Sequence, residues 1–418
     1  MDNIQPISIY QKYAEDLDKN LSIFWIGFVV YSLGDALSAT YATGMIKVIQ
    51  LFQAIGLLSI VYATFHIVQF NSKNDFVKIS LVLYFSWVIF VLFHGFVYEY
   101  DFVKRLFFSG LFKYFFPLII FFPKNLDFYK KAFSVIVALN IAFIILNVFF
   151  VEIVLAHYDQ NVVQKFTFEG FAKTLGAPAG FLIFTYIYHS KNRNLLALLV
   201  VITIILIATY KARRAIMVFS SLNLLIFMAI FYIKSNKKIL MAVCMIIFLS
   251  VIGVVGEKIY RENRDTFFEQ ILERGAEDTR TGVEVAFSRD FDTIDWIIGR
   301  GINGMYWCPN VDMGDTTGYR TMIETDYLNI ILKGGIIHLG LILLIAFPAA
   351  IKGLFFSRNL LSKAAGIWII IWILSLYPLN VFNTDFNYML FWICVCIGYS
   401  KDLRNMPDAT IKKAFSSK

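Results

Sequence analysis

The chain has 418 residues, of which 58% are hydrophobic, 17% aromatic and only 16% charged, and its formal net charge is +8. Soluble globular domains carry about 25% charged residues and roughly 45–50% apolar ones. The apolar residues here form blocks such as LLALLVVITIILIA, and a helix that crosses a bilayer needs roughly 20 of them. This composition excludes a soluble enzyme, a coiled coil, a secreted disulfide scaffold and a disordered chain. It predicts an all-α, polytopic integral membrane protein.

The cysteines and the N-terminal residues exclude two further classes. Three of the four cysteines, Cys244, Cys394 and Cys396, lie in apolar runs, an arrangement that suggests neither a disulfide framework nor a zinc site. The sequence MDNIQPISIYQKYAEDLDKN lacks the cationic region, apolar core and cleavage site of a removable signal peptide. We therefore expect the first spanning segment to direct insertion by itself.

Hydropathy predicts about twelve spanning segments. In chain order they lie near 21–37, 45–70, 78–98, 105–123, 132–156, 173–189, 194–210, 214–233, 238–256, 325–351, 361–380 and 386–400. The fourth is very aromatic, and the sixth is weakened by glycines and a proline. The predicted organisation is transmembrane helices 1–9 in 1–256, a long periplasmic loop in 257–324, helices 10–12 in 325–400 and a tail in 401–418.

Lysines and arginines predict the orientation of the chain. With the N-terminus inside, almost every short inner loop is basic, as the positive-inside rule expects. These loops contain Lys73 and Lys78, then Lys124, Lys130 and Lys131, then Lys191 and Arg193, then Lys234, Lys237 and Lys238, and then Lys352, Arg358 and Lys363. Both termini are then cytoplasmic, and the 257–324 loop lies outside.

Lys211, Arg213 and Arg214 lie in a very short outer turn, TYKARRAI, and break this charge rule. One interpretation is that these side chains reach the lipid headgroups and anchor two helices. The other is an anion site between the helix start near Arg214 and a planar guanidinium. Arginine binds phosphate through two parallel hydrogen bonds, and a helix start adds partial positive charge. This second interpretation predicts a site for a lipid phosphate or pyrophosphate.

The long outer stretch mixes arginines with acids, and most of it is typical of a solvated helical surface. Its arginines are Arg261, Arg264, Arg274, Arg280, Arg289, Arg300 and Arg320. Arg280 is the better ligand candidate, because EDTRTG flanks it with glycine and threonine as in a turn or helix start. The GxGxxG pattern at 299–304 lies in a stretch without parallel-strand signals, so we interpret it as a flexible turn. Asp290 with Asp292, and Asp312 with Asp315, could hold a divalent cation, but two carboxylates close in sequence are weak evidence for a site. The five histidines are scattered without ligand spacing, and we expect no metal.

Polar residues inside the apolar segments cluster at their outer ends. They are Asp35, Lys47, Lys333, Asn380, Asn383, Thr384 and Asp385. Such groups usually face a bundle interior or a wet cavity rather than lipid. Their position suggests a polar cavity that opens outward, although a structural ion pair between Asp35 and Lys47 explains part of the pattern equally well.

Two segments carry a family resemblance. IDWIIGRGINGMY, followed by ETDYLNIILKGGIIHLGLILLI, resembles the bacterial O-antigen polymerase and O-antigen ligase superfamily. In that family an outer loop with a Gly-x-Gly turn leads into a helix that begins with a polar residue and Tyr-Leu. The RRAIM segment is similar to the family's arginine at the outer end of a middle helix. The resemblance covers most of the chain in layout but only these segments in motif.

The resemblance implies a metal-independent glycosyltransferase of the GT-C type, without a cofactor, that uses undecaprenyl-pyrophosphate-linked sugars at the periplasmic face. The ligases carry His-Asn-x-Tyr-Leu, whereas this chain has Glu324 in place of the histidine, and this difference favours a polymerase. By this resemblance the catalytic residues are Glu324 as base and Arg214 and Arg280 as cations. The expected substrate-binding residues are Lys211, Arg213, Arg289, Arg300 and Tyr327.

The resemblance also sets the expected partners and the alternatives. We expect lipid-linked oligosaccharide repeat units, a chain-length regulator, a flippase and the lipid bilayer as partners, and no nucleic acid. The expected location is the bacterial inner membrane. The alternatives are an O-antigen ligase that joins glycan to lipid A core, and a transporter or flippase of lipid-linked sugars. A transporter would more often show repeated halves and broken helices near the bilayer midplane, and the sequence shows neither clearly.

Overall fold

The computed structural model describes residues 5–40, 45–70, 74–123, 125–156, 162–211, 213–235, 238–239, 280–309 and 317–416. The α-helices are α1 (Gln5–Ser38), α2 (Ile46–Ile67), α3 (Asp75–Phe93), α4 (Tyr100–Arg105), α5 (Leu126–Phe149), α6 (Val151–Leu155), α7 (Val162–Phe171), α8 (Ala179–Phe184), α9 (Lys191–Tyr210), α10 (Arg214–Lys234), α11 (Thr281–Asp290), α12 (Thr293–Ile298), α13 (Asp326–Phe355), α14 (Leu360–Ser375), α15 (Phe386–Tyr399), α16 (Lys401–Asn405) and α17 (Asp408–Ser416). Two short strands, β1 (Tyr306–Trp307) and β2 (Tyr319–Arg320), pair antiparallel.

Seven helices of the described residues are long and apolar enough to cross a membrane, namely α1, α2, α3, α5, α9, α10 and α13. Helices α14 and α15 are also apolar but have only 16 and 14 residues. The chain is therefore an all-α, multi-pass membrane protein. The predicted count of about twelve spans exceeds these seven. The ninth predicted segment, 238–256, lies almost entirely outside the described residues.

The fourth and sixth predicted segments are not continuous α-helices. The fourth contains a π-helical turn, Leu106–Gly110, and then a 3₁₀ helix, Phe112–Phe121, with Pro117 inside it. Proline has no backbone N–H to donate and its ring clashes with the preceding turn, which opposes a regular α-helix there. The sixth begins with a second π-helical turn, Ala172–Gly176, and Pro178 follows directly. Both irregular segments bury apolar side chains in the bundle.

Both ends of the described chain lie on one side of the bundle, which we call the terminal side. The Lys131 ammonium at the start of α5 lies 2.6 Å from the Asp18 carboxylate in α1. Phe133, two residues further along α5, packs edge-on against Phe415 of α17, with the ring centroids 5.5 Å apart. The Lys234 ammonium, at the end of α10, lies 2.9 Å from Asp408. The α9–α10 turn is consequently on the opposite side, one helix length away.

Helix α13 is interrupted near its start on the opposite side. Gly335 has φ +67°, a left-handed conformation that favours glycine, and the helical path breaks there. The Trp87 indole N–H of α3 donates to the Gly334 carbonyl at 2.8 Å. A side chain of another helix thus satisfies a carbonyl that the break exposes, as irregular backbone inside a membrane requires.

Residues 299–302 dock into the bundle beside this break. The Gly301 N–H donates to the Lys333 carbonyl at 2.9 Å, and the Ile302 N–H donates to the His94 carbonyl at 3.0 Å. Gly299 and Gly301 both have positive φ. The turn that we interpreted as flexible is therefore fixed by backbone hydrogen bonds to two helices. A second small apolar core, which includes Phe287, joins the described residues between 280 and 323 to the beginning of α13.

Candidate functional site

The α9–α10 turn uses one of its three cations to fix its own position. Lys211 is buried, with 6% of its surface exposed, and its ammonium donates to the Ala156 carbonyl at 2.5 Å. The Tyr210 hydroxyl donates to the neighbouring Leu155 carbonyl at 3.1 Å. Burial and then the positive charge of Arg213 lower the pKa of Lys211 below its ordinary value. Lys211 therefore ties the turn to the end of α6.

Arg213 belongs to a chain of charges that leads into the bundle. Its guanidinium lies 3.4 Å from the Glu169 carboxylate of α7, which also lies 2.6 Å from the Lys173 ammonium. Arg214, the first residue of α10, is exposed. The three cations of the turn consequently have different surroundings: a backbone carbonyl, a carboxylate and the surface.

A cleft with about 690 Å³ of empty space lies below this group of charges. Its walls come from the Ala172–Gly176 turn, α9, α10, α14 and residues 376–385, which we call the α14–α15 connection. The residues that line it are Ala172, Lys173, Gly176, Ala177, Val201, Ile204, Ile216, Phe219, Ser220, Asn223, Trp368, Ile371, Trp372, Ser375, Leu379, Asn380, Val381, Asp385 and Asn387. The lining residues of α10 come from its first half, next to the α9–α10 turn, and those of α14 come from its second half, next to the connection. The cleft therefore lies on the side opposite the termini.

Acidic and basic groups meet where the Ala172–Gly176 turn faces the α14–α15 connection. Asp385 caps α15, since its carboxylate accepts the Tyr388 N–H at 2.9 Å. The Asp35 carboxylate of α1 accepts a 3.4 Å hydrogen bond from the Thr174 hydroxyl. Both carboxylates interact electrostatically with each other, and Lys173 offsets their charge at Asp385. One end of the cleft thus has Asp385 and Lys173 in its lining, with the half-buried Asp35 carboxylate close to Asp385.

Arg280, Glu324 and Tyr327 come together on the α14–α15 connection. The Arg280 guanidinium donates to the Pro378 carbonyl at 2.9 Å and to the Tyr377 carbonyl at 3.4 Å. Its Nε lies 3.9 Å from the Glu324 carboxylate, which is 57% exposed. The rings of Tyr327 and Tyr377 are stacked, with their centroids 6.3 Å apart. The predicted base therefore lies beside one of the predicted pyrophosphate-binding cations.

Asp326 holds the same connection from inside the bundle. Its fully buried carboxylate accepts the backbone N–H groups of Val381 and Phe382, the latter at 2.6 Å. The Lys113 ammonium lies close enough to interact with this carboxylate and donates to the Phe382 carbonyl at 3.2 Å. No sequence pattern indicates a role for Lys113, because it lies alone in an aromatic segment.

Arg289 and Arg300, like the other predicted catalytic and substrate-binding residues, are not among the residues that line the cleft. Arg289 is exposed on α11. Arg300 donates to the carboxylates of Asp290 and Asp295 at 2.5 and 2.6 Å and to the Met305 carbonyl at 2.8 Å. Its guanidinium therefore fixes the fold of residues 290–305, and its hydrogen bonds are directed at the protein itself.

The residues that line the cleft come from widely separated parts of the sequence. The predicted outer polar residues Asn380 and Asp385 line it, and so do Lys173, Asn223 and Asn387, which the sequence analysis did not select. Asn223 was visible as an isolated amide within an apolar helix, but an isolated amide does not show which helix faces it. Within the described residues no group of three or more His, Cys, Asp or Glu side chains has the geometry of a metal site.

The fold and this cleft define a class: an all-α, multi-pass membrane protein with a largely apolar cleft that carries several polar and charged side chains, on the side opposite its termini. Comparison of the chain with known protein families, with curated proteins and with solved structures finds no match.

Proposed function

We propose that the chain is a surface-polysaccharide polymerase of the O-antigen type. It transfers the growing glycan from undecaprenyl pyrophosphate to a sugar hydroxyl of the next lipid-linked repeat unit. The observation that carries this proposal is the cleft at the α14–α15 connection: Lys173 lines it, Arg213 shares the Glu169 carboxylate with Lys173, and Arg280 donates to the Pro378 carbonyl of the connection. Cations in and around such a cleft suit a substrate that has an anionic leaving group and a neutral acceptor.

The proposed chemistry needs charge stabilisation more than acid catalysis. The acceptor oxygen bonds to the anomeric carbon of the growing glycan, and the bond between that carbon and the pyrophosphate oxygen breaks. The electron pair leaves on undecaprenyl pyrophosphate, and the acceptor proton goes to Glu324. Cations placed in advance around the leaving oxygens supply a large part of the rate in such reactions. Arg214 and Arg280 have this role.

The remaining predicted residues assist binding in this proposal. Arg213 contacts the pyrophosphate from the α9–α10 turn, which Lys211 fixes in place through the Ala156 carbonyl. Arg289 and Tyr327 contact the substrate from the outer residues and from the start of α13. Arg300 acts through the fold of residues 290–305.

The finer topology also belongs to the proposal. The chain crosses the bacterial inner membrane about twelve times, as GT-C-type enzymes do, with both termini in the cytoplasm and the cleft open to the periplasm. The positive-inside distribution of lysines and arginines supports this orientation. The ion pairs that join both chain ends to one side of the bundle are compatible with it.

The first test is the surface glycolipid ladder of the host bacterium after deletion of the gene. Lipid A core capped by a single repeat unit supports the polymerase. Core without any repeat unit, with lipid-linked polymer accumulating, supports the ligase instead. Repeat units trapped on the cytoplasmic leaflet support a flippase, and an unchanged ladder refutes all three for this polysaccharide.

The second test compares purified variants in a polymerisation assay with lipid-linked repeat units. We expect Arg280→Lys to lower kcat about 100-fold or more, because lysine keeps the charge but loses the bidentate geometry. We expect Glu324→Gln to lower kcat by about 100-fold or more as well, since it removes the base. Arg358→Ala, which removes an exposed arginine on the terminal side, is the control. Wild-type rates in the Glu324 variant would exclude it as the base.

A further inference from the structure

The cleft contains four polar atoms that no protein group satisfies. The indole nitrogens of Trp368 and Trp372 and the amide oxygens of Asn223 and Asn387 are buried and have no hydrogen-bond partner. All four residues line the cleft. Trp368, Trp372 and Asn223 are 3%, 1% and 8% exposed. Residues that line one cleft therefore carry two donors and two acceptors without a protein partner, although buried polar groups in proteins are almost always hydrogen-bonded.

The fold holds these groups in fixed positions. Gly180 of α8 faces the Asn223 amide, and a Cβ at that position would lie 2.6 Å from its nitrogen and 3.0 Å from the Trp368 ring. Trp372 packs between two rings, with its centroid 4.0 Å from that of Phe391 and 5.1 Å from that of Tyr388. The absence of a side chain at Gly180 leaves room for the amide, and the aromatic contacts fix the indole.

The charges at the cleft are largely matched within the protein. Lys173 is paired with Glu169, and Asp385 accepts a backbone N–H. The interior wall therefore offers neutral donors, neutral acceptors and aromatic surface. Sugar hydroxyls donate to amide oxygens and accept from indole N–H groups, while the C–H face of the ring packs on aromatic side chains. A phosphate, by contrast, would need unpaired cations or several aligned N–H groups.

We propose that this cleft binds one uncharged sugar ring of the acceptor repeat unit. The inference rests on the proposed function and assigns the inner cleft to the acceptor, whereas the pyrophosphate stays with the outer cations. The residues that line the cleft combine aromatic surface with neutral donors and acceptors, which is the chemistry that binds a sugar ring. An acyl chain would leave the four polar atoms unsatisfied, so a hydroxyl-rich ring is the better occupant.

The experiment uses the full-length protein in lipid nanodiscs. The first probe is the free oligosaccharide released by mild acid from the host's lipid-linked repeat unit, and the second is inorganic pyrophosphate. Calorimetry measures the Kd of each probe. We expect Trp372→Phe and Asn223→Leu each to weaken oligosaccharide binding about threefold to tenfold, which is the effect of one neutral hydrogen bond. Pyrophosphate binding should not change.

Two matched controls separate this effect from general destabilisation. Trp25 has a buried indole nitrogen without a partner and Asn140 a buried amide without one, and neither residue lines the cleft. Trp25→Phe and Asn140→Leu should bind the oligosaccharide like the wild type. A third variant, Ser220→Leu, fills the cleft without removing any of the four polar groups, and it should abolish oligosaccharide binding.

The outcomes are decisive in both directions. Wild-type oligosaccharide affinity in the Trp372, Asn223 and Ser220 variants, or no oligosaccharide binding to the wild-type protein, overturns the inference. Loss of pyrophosphate affinity in the cleft variants also overturns it, since the cleft would then hold the anion. A single-repeat ladder in the deletion strain together with unaffected cleft variants would refute only the acceptor site. An unchanged ladder would refute the proposed function, while the oligosaccharide titrations would still report what the cleft binds.

Discussion

Gly301→Ala tests the docking of the outer residues into the bundle. Gly301 has φ +76°, and a Cβ there would lie 1.7 Å from the His94 carbonyl oxygen and 2.3 Å from its carbon. The left-handed conformation costs a non-glycine residue about 1–3 kcal/mol. Because the clash is with backbone, the turn must also move and lose its hydrogen bonds to Lys333 and His94, at about 1 kcal/mol each. We expect a total loss of roughly 3–5 kcal/mol in docking free energy.

The assay is limited trypsin digestion, with thermal unfolding measured in parallel. Cleavage after Arg300 requires undocking, since its guanidinium is bound by two carboxylates and its N–H by the Leu332 carbonyl. Gly301→Ala should therefore be cleaved there much faster than the wild type. The matched control is Gly340→Ala in α13, where a Cβ would meet nothing within 4 Å. Equal cleavage rates and melting temperatures in the two variants would refute the docking argument.

Three further predictions concern buried or half-buried charged residues whose partners are other groups of the protein. Arg300→Gln should destabilise residues 290–305 without a specific rise in KM, because its partners are protein carboxylates. Asp408→Asn should lower the melting temperature at pH 7, and this difference should shrink below about pH 4. Although burial alone would raise it, the pKa of Asp408 is lowered by hydrogen bonds from Tyr188 and Leu360 and by Lys234. Asp326→Ala should raise the maleimide labelling rate of a cysteine placed at Asn380, in a background with the native cysteines replaced by serine.

Each of these predictions has a defined contrary result. Arg289→Gln, at an exposed position on the same loop, is the stability control for Arg300, and an equal melting temperature in the two variants would contradict the structural role. The sign for Asp408 follows from its lowered pKa: its stabilisation is complete above the ordinary carboxyl pKa and disappears as the pH falls through the folded value. A difference that grows in acid would contradict it. Unchanged labelling in Asp326→Ala would show that other contacts hold the connection.

The sequence was sufficient for the long, uniformly apolar helices. Predicted segments 45–70, 194–210 and 214–233 correspond to α2, α9 and α10 with ends that differ by a few residues. A run of about 20 apolar residues has few alternatives to a helix in a bilayer, because its backbone groups must be satisfied within the segment. The aromatic segment 105–123, by contrast, is not one continuous α-helix. Its π-helical and 3₁₀ turns depend on Pro117 and on packing that hydropathy does not register.

The sequence predicts only part of the site, because hydropathy and charge do not show which helices pack together. The turn cations and the outer polar residues stand out, because charge at the end of an apolar helix is costly and therefore conspicuous. Their division of roles depends on the fold: Lys211 binds a carbonyl that lies 55 residues earlier, and Arg280 binds carbonyls 97 and 98 residues later. The cleft lies between helices whose hydropathy is similar, so hydropathy cannot predict which of them line it. Asn223 and Trp372 come to one cleft only in the folded arrangement, in which α10 and α14 both pack against α8.

The α14–α15 connection links the two parts of the proposed reaction. Arg280 binds its carbonyl groups from the outer side, and Asp326 binds its N–H groups from inside the bundle. Between these two attachments the same residues line the cleft. A shift of the connection would therefore move Arg280, the proposed pyrophosphate-binding cation, and the proposed acceptor wall at the same time. Because both attachments are charged side chains bound to backbone groups, we expect the spacing of the two proposed sites to depend on Arg280 and Asp326.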